Sequence, residues 1–579
     1  MKKLMNQAEN LVTEMCHGIV LAHPELQLNE KYKVISRRHM KKNKVSLISG
    51  GGSGHEPAHA GFVGAGMLDA AVCGDVFASP SQIQVYQAIK QVATEQGVLM
   101  IIKNYSGDMM NFKNGAALAA EDGILVDYVK VADDIAVEDS LYTVGRRGVA
   151  GTVFVHKIAG AAAELGFDLA TVKKIAEKAA AQVRSIGFAF TSCTVPAKGT
   201  PTFTLAQDEM EYGVGIHGEP GIRREKMMRS NELAERMVND LLNDLGEVNE
   251  VAVLVNGFGA TPLQELYVFN NDVIRALFAR GVNVHRTFVG NYMTSIDMAG
   301  ASLSILKLDD ELKQYLNAPA STPALKVDGE ASPIQLIEAA KTSVKAVPSF
   351  NVETKGQFAE IVNEQFTLAN LHYYIDKMSE VIIDNEVPFC ELDAHAGDGD
   401  FGMSVAKGFK QLKREWAELT HATSMSAFLS SCSMIIMEHC GGASGPIWGS
   451  AFRAAGNAVE GKEFLTVSDF AAMLQAAVKG IQTTGERSFG RGAVVGDKTL
   501  IDAFIPCADV WCDAANGGGT FADSFTRGAK AAVQGAEATK EIVARMGRAG
   551  TVGERSLGYP DAGAHGLGVI FTALAEDAK

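Results

Sequence analysis

The apolar pattern of this chain changes its period once, near residue 350, and that change limits the folds open to it. From about residue 30 to 345, short apolar runs alternate with amphipathic stretches. Val45–Ile48 is such a run, and it enters the glycine-rich stretch SGGGSGHEP at 49–57. Ala70–Cys73 is another. Next, Ser79 as N-cap and Pro80 at the first helical position predict a helix. Ile83, Tyr86, Ile89, Val92 and Ala93 keep helical spacing, and Gly97 ends it. Val98–Ile102 is wholly apolar, as a strand buried on both faces of a parallel sheet must be. A second helix is expected after Asn104–Gly107, and a further strand over Ile124–Val131. Asp168–Arg184 reads as helical. After it Val251–Val255, Pro262–Arg280, Val282–Phe288 and Ser302–Leu306 repeat the alternation of strand and helix. Such alternation predicts an α/β layered fold, with ligands beyond the carboxyl ends of the strands. Gly50–Glu56 and Lys103–Asp108 hold that position.

Beyond the change, long helical patterns dominate, over Phe358–Val381, Ser468–Gln482 and Ser524–Ala544, and clean strand signals are absent. Between the two regimes, residues 317–350 begin rich in Pro, Ser, Thr and Ala and read as a linker. The expected organisation is an α/β domain over 1–330, a linker over 331–354 and an all-α domain over 355–579. Within the first domain, two α/β subdomains are expected to meet near residue 190. At 579 residues the chain is too long for one core, which agrees. The glycines cluster, as in Gly50–Gly54 and Gly517–Gly519, where loops approach a ligand closely. A net charge of −15 argues against general affinity for nucleic acid or anionic membrane. No run of 18 apolar residues predicts a membrane span, and MKKLMNQAENLVTEM lacks the apolar core of a signal peptide. Eight scattered cysteines without a CxxC pair indicate neither a zinc site nor a disulfide framework. They fit the reduced thiols of a cytoplasmic protein.

Chemistry concentrates in glycine-rich stretches. In LDAHAGDGDFGMSVAKG, at 392–408, Asp393, Asp398 and Asp400 fall within eight residues, and Gly397 and Gly399 allow a sharp turn. Three carboxylates brought to one point repel unless a cation lies between them. Carboxylate oxygens suit Mg²⁺, which takes further ligands from water and nucleotide phosphates. The alternative is a solvated Asp/Gly turn. Further loops in the same domain, Phe401–Ser404, GGASGPIW at 441–448, GDKT at 496–499, and GRAG at 547–550 with YPDAG at 559–563, offer free N–H groups at helix starts. Ser444 adds a hydroxyl and Arg548 a fixed positive charge. Together they predict a Mg-nucleotide pocket.

Two tempting motifs fail. In GDKT, Asp497 separates the glycine from the lysine, so the Walker A spacing is broken. Gly213–Gly218 does match G-x-G-x-x-G, but the polar LAQDEMEY precedes it where a dinucleotide fold needs an apolar strand. An oxidoreductase reading therefore stands second. In the α/β half, His55, Asp108 and His217 each lie in a glycine-rich loop, and GHEP resembles HGEPG. Imidazole serves as acid, base or nucleophile near neutral pH. A neutral imidazole adds to a carbonyl carbon to give a hemiaminal, which selects ketones or aldehydes over plain alcohols.

GGGSGHEPAHAGFVG, KNYSGD, GIHGEPG, LDAHAGDGDFG, GGASGPIWG, GDKTLIDAF and GERSLGYPDAGA occur in this order along almost the whole chain. In this the chain resembles the single-chain, ATP-dependent dihydroxyacetone kinases. The resemblance implies an N-terminal α/β ketose-binding domain and a C-terminal barrel of helices that holds Mg-ATP. His217 would bind the ketose covalently as a hemiaminal, with Asp108 and His55 bonding its hydroxyls and assisting proton transfer. Gly52, Ser53, Gly54 and Lys103 would line the same pocket. Asp393, Asp398 and Asp400 would hold Mg²⁺, as two ions. Phe401, Gly402, Met403, Ser404, Ala443, Ser444, Gly485, Arg548, Asp561, Ala562 and Gly563 match nucleotide-contacting segments. Phe401 stands where many relatives have histidine or cysteine, so its side chain is assigned no chemistry. Animal relatives also cyclise FAD, and other members prefer four-carbon ketoses such as erythrulose. Both domains in one chain favour ATP as direct donor, whereas split relatives use a phosphocarrier. The family further implies a homodimer, the helical domain of one chain serving the ketose site of the other. Members that act as non-catalytic regulators have lost histidine or aspartate residues that are all present here.

Overall fold

In this computed structural model the described residues are 2–137, 145–337, 354–547, 550 and 552–578. The chain divides into two compact units, Met1–Glu338 and Ala339–Lys579. Most of the expected linker, residues 338–353, lies outside the described residues.

The N-terminal unit carries two sheets. The first is built from β1 (Leu26–Asn29), β2 (Val34–Arg37), β3 (Ser46–Ser53), β4 (Ala70–Val76), β5 (Val98–Lys103) and β6 (Val126–Val131). Their order is β1-β2-β4-β3-β5-β6, with β4, β3, β5 and β6 parallel and β1 and β2 antiparallel at one edge. β3 and β5 are buried along their whole length, as their uninterrupted apolar runs require. Helices α1 (Leu11–Ala22), α2 (Gln82–Val92), α3 (Ser106–Glu121), α4 (Thr152–Glu164) and α5 (Leu169–Gln182) complete this half. In α4 every residue but the last is buried, and Gly160 lets it close on the backbone of Gly66, where a Cβ would stand 2.2 Å from the carbonyl oxygen.

The second sheet comprises β7 (Val183–Ala189), β8 (Glu209–Tyr212), β9 (Arg223–Lys226), β10 (Glu250–Gly257), β11 (Asn283–Gly290) and β12 (Gly300–Lys307). Its order is β11-β10-β12-β7-β8-β9, and only β10 and β11 run parallel. Helices α6 (Ser230–Leu245), α7 (Leu263–Ala279) and α8 (Asp310–Asn317) complete this half.

Four local expectations change in this unit. α2 is capped by Ser81, not Ser79: Ser81 and Gln84 form a reciprocal capping box, while the Ser79 hydroxyl is engaged elsewhere. β7 belongs to the second sheet although a boundary at residue 190 leaves it in the first half, because its residues pair with β12. Residues 320–327, linker-like in composition, fold back as the hairpin β13 (Ala320–Ser321) and β14 (Lys326–Val327), with Ala320, Leu325 and Val327 buried. A strand, β8, does precede Gly213, but it is antiparallel and the chain continues into β9 instead of a helix, so the dinucleotide fingerprint fails for that reason.

The C-terminal unit is helical: α9 (Leu368–Asp384), α10 (Glu386–Asp393), α11 (Phe401–Arg414), α12 (Trp416–Leu419), α13 (Met425–His439), α14 (Ser444–Ala458), α15 (Val467–Phe489), α16 (Ile501–Asn516), α17 (Phe521–Ala538) and α18 (Ala562–Asp577). A two-residue ladder joins β15 (Phe366–Thr367) to β16 (Phe464–Leu465). The helix expected from Phe358 starts only at Leu368, where Thr367 and Asn370 form a capping box. The apolar faces converge on a core that includes Phe366, Phe409, Phe428 and Trp511. Among the described residues no helix is long and apolar enough to cross a membrane.

Candidate functional site

Two clefts that carry polar groups stand out, one on each unit. The first, of about 660 Å³, opens at the carboxyl ends of β3 and β5, and Gly52, Phe77, Ser79, Asp108 and His217 contribute to its wall. Asp108 lies in the first turn of α3, whose start is set by the turn at Asn104–Tyr105 after β5. Its Oδ1 accepts the Ser79 hydroxyl at 2.5 Å, and its Oδ2 lies 3.7 Å from Lys103 Nζ. Lys103 is fully buried, and among the described residues its ammonium makes no hydrogen bond. Gly51 is what admits it, since a Cβ there would stand 2.7 Å from Nζ. Burial pushes the Asp108 carboxyl up and the Lys103 ammonium down from their ordinary values.

His217 is carried by the loop between β8 and β9. Its ring meets Tyr105 edge-on at 4.7 Å, Phe77 at 5.3 Å and His55 at 4.8 Å between centroids. This packing strips water from the imidazole, and with the positive charges of Lys103 and Arg147 nearby it holds the pKa down at about 3. The ring is therefore neutral, with a bare lone pair, throughout the neutral range. The loop itself is clipped from below. Glu219 folds back so that Oε2 accepts the His217 N–H at 2.6 Å, and its Oε1 accepts from Arg147 Nη1 at 2.9 Å. Arg147 in turn donates to Asp134 Oδ2 at 2.7 Å and to the Gly213 carbonyl at 3.0 Å. A side chain at Gly215 would forbid the clip, because its Cβ would come within 1.9 Å of Glu219 Oε1.

His55 stands behind this wall, fully buried. Its Nδ1 lies 2.8 Å from the Thr294 carbonyl, which only accepts, so Nδ1 carries the proton. Nε2 is then an unprotonated acceptor, and among the described residues it has no partner. Burial, then His217 and Lys103, hold His55 well below the usual histidine range. Deeper still, His59 Nδ1 meets His156 Nε2 at 3.0 Å. Burial lowers both, His156 to about 3. Of the remaining expected pocket residues, Ser53 and Gly54 face a second cavity of about 380 Å³ behind the His55 loop, and Ser53 donates to the Gly74 carbonyl.

On the C-terminal unit, Asp393, Asp398 and Asp400 offer ligand oxygens that all lie within 4.8 Å of one another. Asp393 ends α10, and its Oδ2 accepts from Gly399 N at 2.9 Å and Asp400 N at 3.1 Å, which curls the DGD turn back onto it. An all-oxygen set of three carboxylates on a partly exposed turn is a donor set of the kind Mg²⁺ takes. The same cleft is walled by Phe401, Ser404, Ala443, Ser444, Asp561, Ala562 and Gly563, all expected, by Ile447 and Trp448 of the expected GGASGPIW loop, and by Leu500 and Met546, which were not expected. The first turns of α11, α14 and α18 thus converge there, each bringing free backbone N–H groups. Asp561 caps α18 through Ala564 N, and burial, with Asp502 and Asp393 nearby, pushes its carboxyl up to about 7. Gly402 packs instead against the Glu386 carbonyl, Met403 is exposed, and Gly485 sits within α15 away from the wall. Arg548 lies outside the described residues.

The roles of Tyr105, Arg147, Glu219 and the apolar wall at Ile447–Trp448 escaped the sequence reading. GIHGEPG and KNYSGD held Glu219 and Tyr105 in plain view, but Arg147 bonds Glu219 across 72 positions and carries no local signal.

A family model described as the Dak1 domain matches residues 17–324, and one described as the DAK2 domain matches residues 395–576. The dihydroxyacetone-binding subunit of a PTS-dependent dihydroxyacetone kinase from Listeria innocua is 54% identical over 54% of this chain and 95% of its own. A D-erythrulose kinase from Mycolicibacterium smegmatis is 34% identical over 100% of this chain and 98% of its own. Among solved structures, the dihydroxyacetone kinase of C. freundii in complex with AMP-PNP and Mg²⁺ is 31% identical, with a TM-score of 0.60 over 99% of both chains.

Buried neutral histidines tie stability to pH. Above about pH 6.5 His156 is neutral folded and unfolded; below it the unfolded chain takes up a proton that the folded unit refuses until about pH 3. Its contribution is therefore lost as the pH falls. Relative to His156→Gln, the wild-type N-terminal unit should lose about 1.4 kcal/mol per pH unit between pH 6 and 4. Denaturant titrations at each pH measure this, and a stability difference that ignores pH would contradict it.

Proposed function

This chain belongs to the dihydroxyacetone kinase family, and on that premise we propose that it is an ATP-dependent kinase that phosphorylates dihydroxyacetone to dihydroxyacetone phosphate. The observation that carries this reading is the imidazole of His217, packed against Tyr105, Phe77 and His55 at the wall of a polar cleft beside Asp108; that packing keeps it neutral. Its ring-nitrogen lone pair bonds to the ketone carbon. The carbonyl π pair moves to oxygen, which gains the proton that the other ring nitrogen gives up, leaving a neutral hemiaminal. The captured ketose then presents a terminal hydroxyl to Asp108, with Lys103 behind it. As the hydroxyl oxygen bonds to phosphorus and ADP departs, Asp108 accepts its proton, and His55 Nε2 is a second base within the same enclosure.

On the helical unit, Asp393, Asp398 and Asp400 would hold Mg²⁺, as two ions, which supplies charge neutralisation along the ATP phosphates. The helix starts at Phe401–Ser404, Ala443–Ser444 and Asp561–Gly563 cradle the phosphates, and Ile447 and Trp448 offer an apolar wall to the base. Gly485 and Arg548 extend this set by resemblance. Positioning and charge neutralisation are most of what phosphoryl transfer requires. A four-carbon ketose is the second reading. The cleft of about 660 Å³ exceeds the needs of a triose, and the Mycolicibacterium relative is named for D-erythrulose. We assign the protein to the cytoplasm and to a homodimer in which each helical unit serves the partner's ketose site.

ADP release from Mg-ATP, followed with dihydroxyacetone, erythrulose, glyceraldehyde and glycerol, tests the reaction. Release should be fast with a ketose and negligible with glycerol, and should fall at least about a thousandfold in His217→Ala. Equal release with glycerol would undo the carbonyl capture, and no release with any acceptor would undo the kinase reading. Mixing His217→Ala with Asp398→Ala chains tests the exchange between protomers: mixed dimers keep one intact site and should recover activity. Silence after proven subunit exchange would exclude it.

A further inference from the structure

The lysine of GDKT has no part in the scheme above, yet it is buried at the nucleotide cleft with every donor engaged. Lys498 is 1% exposed and lines the same cleft as the three aspartates. Its ammonium donates to the carbonyls of Ile542, at 3.2 Å, Tyr559, at 2.8 Å, and Ser556. Ile542 lies on the outgoing limb of the loop that joins α17 to α18, whereas Ser556 and Tyr559 lie on its returning limb. One side chain thus ties both limbs together. That loop carries Met546 and Gly547 to the cleft wall and delivers Asp561–Gly563 to the start of α18.

The turn that aims Lys498 is itself held firmly. Asp502 accepts from Gly496 N at 2.6 Å and from Thr499 N at 2.8 Å, while Asp497 accepts from Val494 N at 2.9 Å and pairs with Arg491. Lys498 takes φ of +61°, a left-handed backbone that lysine adopts only when its surroundings dictate it. The Asp497 carbonyl also accepts Arg545 N at 3.1 Å, a second tie from the same turn to the same loop.

We propose that Lys498 is a positioning residue, a cationic clamp that holds the two limbs at 542–547 and 552–559 against the nucleotide cleft by donating to three converging carbonyls. A Walker lysine acts on phosphate; this one acts on backbone, and the GDKT turn serves the loop instead of the nucleotide. The inference rests on the nucleotide reading of that cleft for its functional consequence, but not for its geometry.

The test uses the full chain with Lys498→Met, Lys498→Arg and Lys498→Gln. Mg-ADP binding is read by calorimetry, ketose KM by steady-state assay, and loop closure by hydrogen exchange of the nucleotide-free protein. Lys498→Met should weaken Mg-ADP at least about tenfold, because three carbonyls on the two limbs, the buried one of Ser556 among them, lose their shared donor. Exchange should quicken across 552–559 and not in α13 or α16, and the ketose KM should not change. Arginine should not rescue, since its planar fork does not meet three carbonyls at one point, whereas glutamine, with two N–H donors, should fall between methionine and wild type. Unchanged Mg-ADP affinity in Lys498→Met, or full rescue by arginine, would overturn the clamp, the latter by showing that charge alone matters. Should the methionine variant not fold, Lys498→Gln decides: weakened nucleotide binding with quickened loop exchange supports the clamp, and wild-type behaviour overturns it. Failure of wild-type protein to bind Mg-ADP would remove the nucleotide reading, while the exchange arm would still judge the clamp.

Discussion

Exclusion of water from a set of imidazoles is the condition on which the N-terminal unit's chemistry depends. His217 is a nucleophile only while it is unprotonated, and in water an imidazole is partly protonated near neutral pH. Packing against Tyr105, Phe77 and His55 removes that competition. The cost falls on polar groups: His55 Nε2, His59 Nε2, Lys103 Nζ and Tyr105 OH are all buried without a hydrogen-bond partner among the described residues. Such groups are expensive singly, at about 1–3 kcal/mol each, and Tyr105 among them lines the cleft with Asp108 and His217. The glycines at the end of β3 and the Glu219–Arg147 clip serve the same end, since both fix backbone where a charged side chain must pass or an imidazole must point.

The helical unit meets the opposite requirement. There negative charge is collected, not avoided, with three carboxylates on one turn and helix starts facing them. A site that gathers a cation and phosphates is a poor neighbour for a neutral nucleophile, because charge leaks into its pKa. Two separately folded units let each environment be tuned alone. On the proposed reaction, the ketose and nucleotide sites would have to be brought together for transfer.

Much of this was legible because glycine-rich loops at strand ends and helix starts advertise themselves by composition. The Asp393–Asp398–Asp400 turn, His55, Asp108 and His217 all lie in such loops. What escaped had no local signature. β7 follows directly on α5 without a turn residue, so its pairing with β12, more than 110 positions away, is a tertiary decision. Ser79 looked like a helix cap and proved to be a hydroxyl partner of Asp108, because Ser81 with Gln84 makes the better cap. Residues 320–327 had a linker's composition, yet three apolar side chains suffice to pin them down. Arg147 and Lys498 act on backbone carbonyls and distant carboxylates, which no spacing in the chain reveals.

The central claim is that His217 captures a ketone covalently because its imidazole is kept neutral. Dihydroxyacetone labelled with carbon-13 at the carbonyl, added to protein without nucleotide, reports on this directly by NMR. A bound species should show a tetrahedral carbon in place of the carbonyl signal, unchanged from pH 5 to pH 8, and absent in His217→Ala. A bound ketose that keeps its carbonyl signal, or a tetrahedral signal that fades with a midpoint near pH 6.5, would contradict the account.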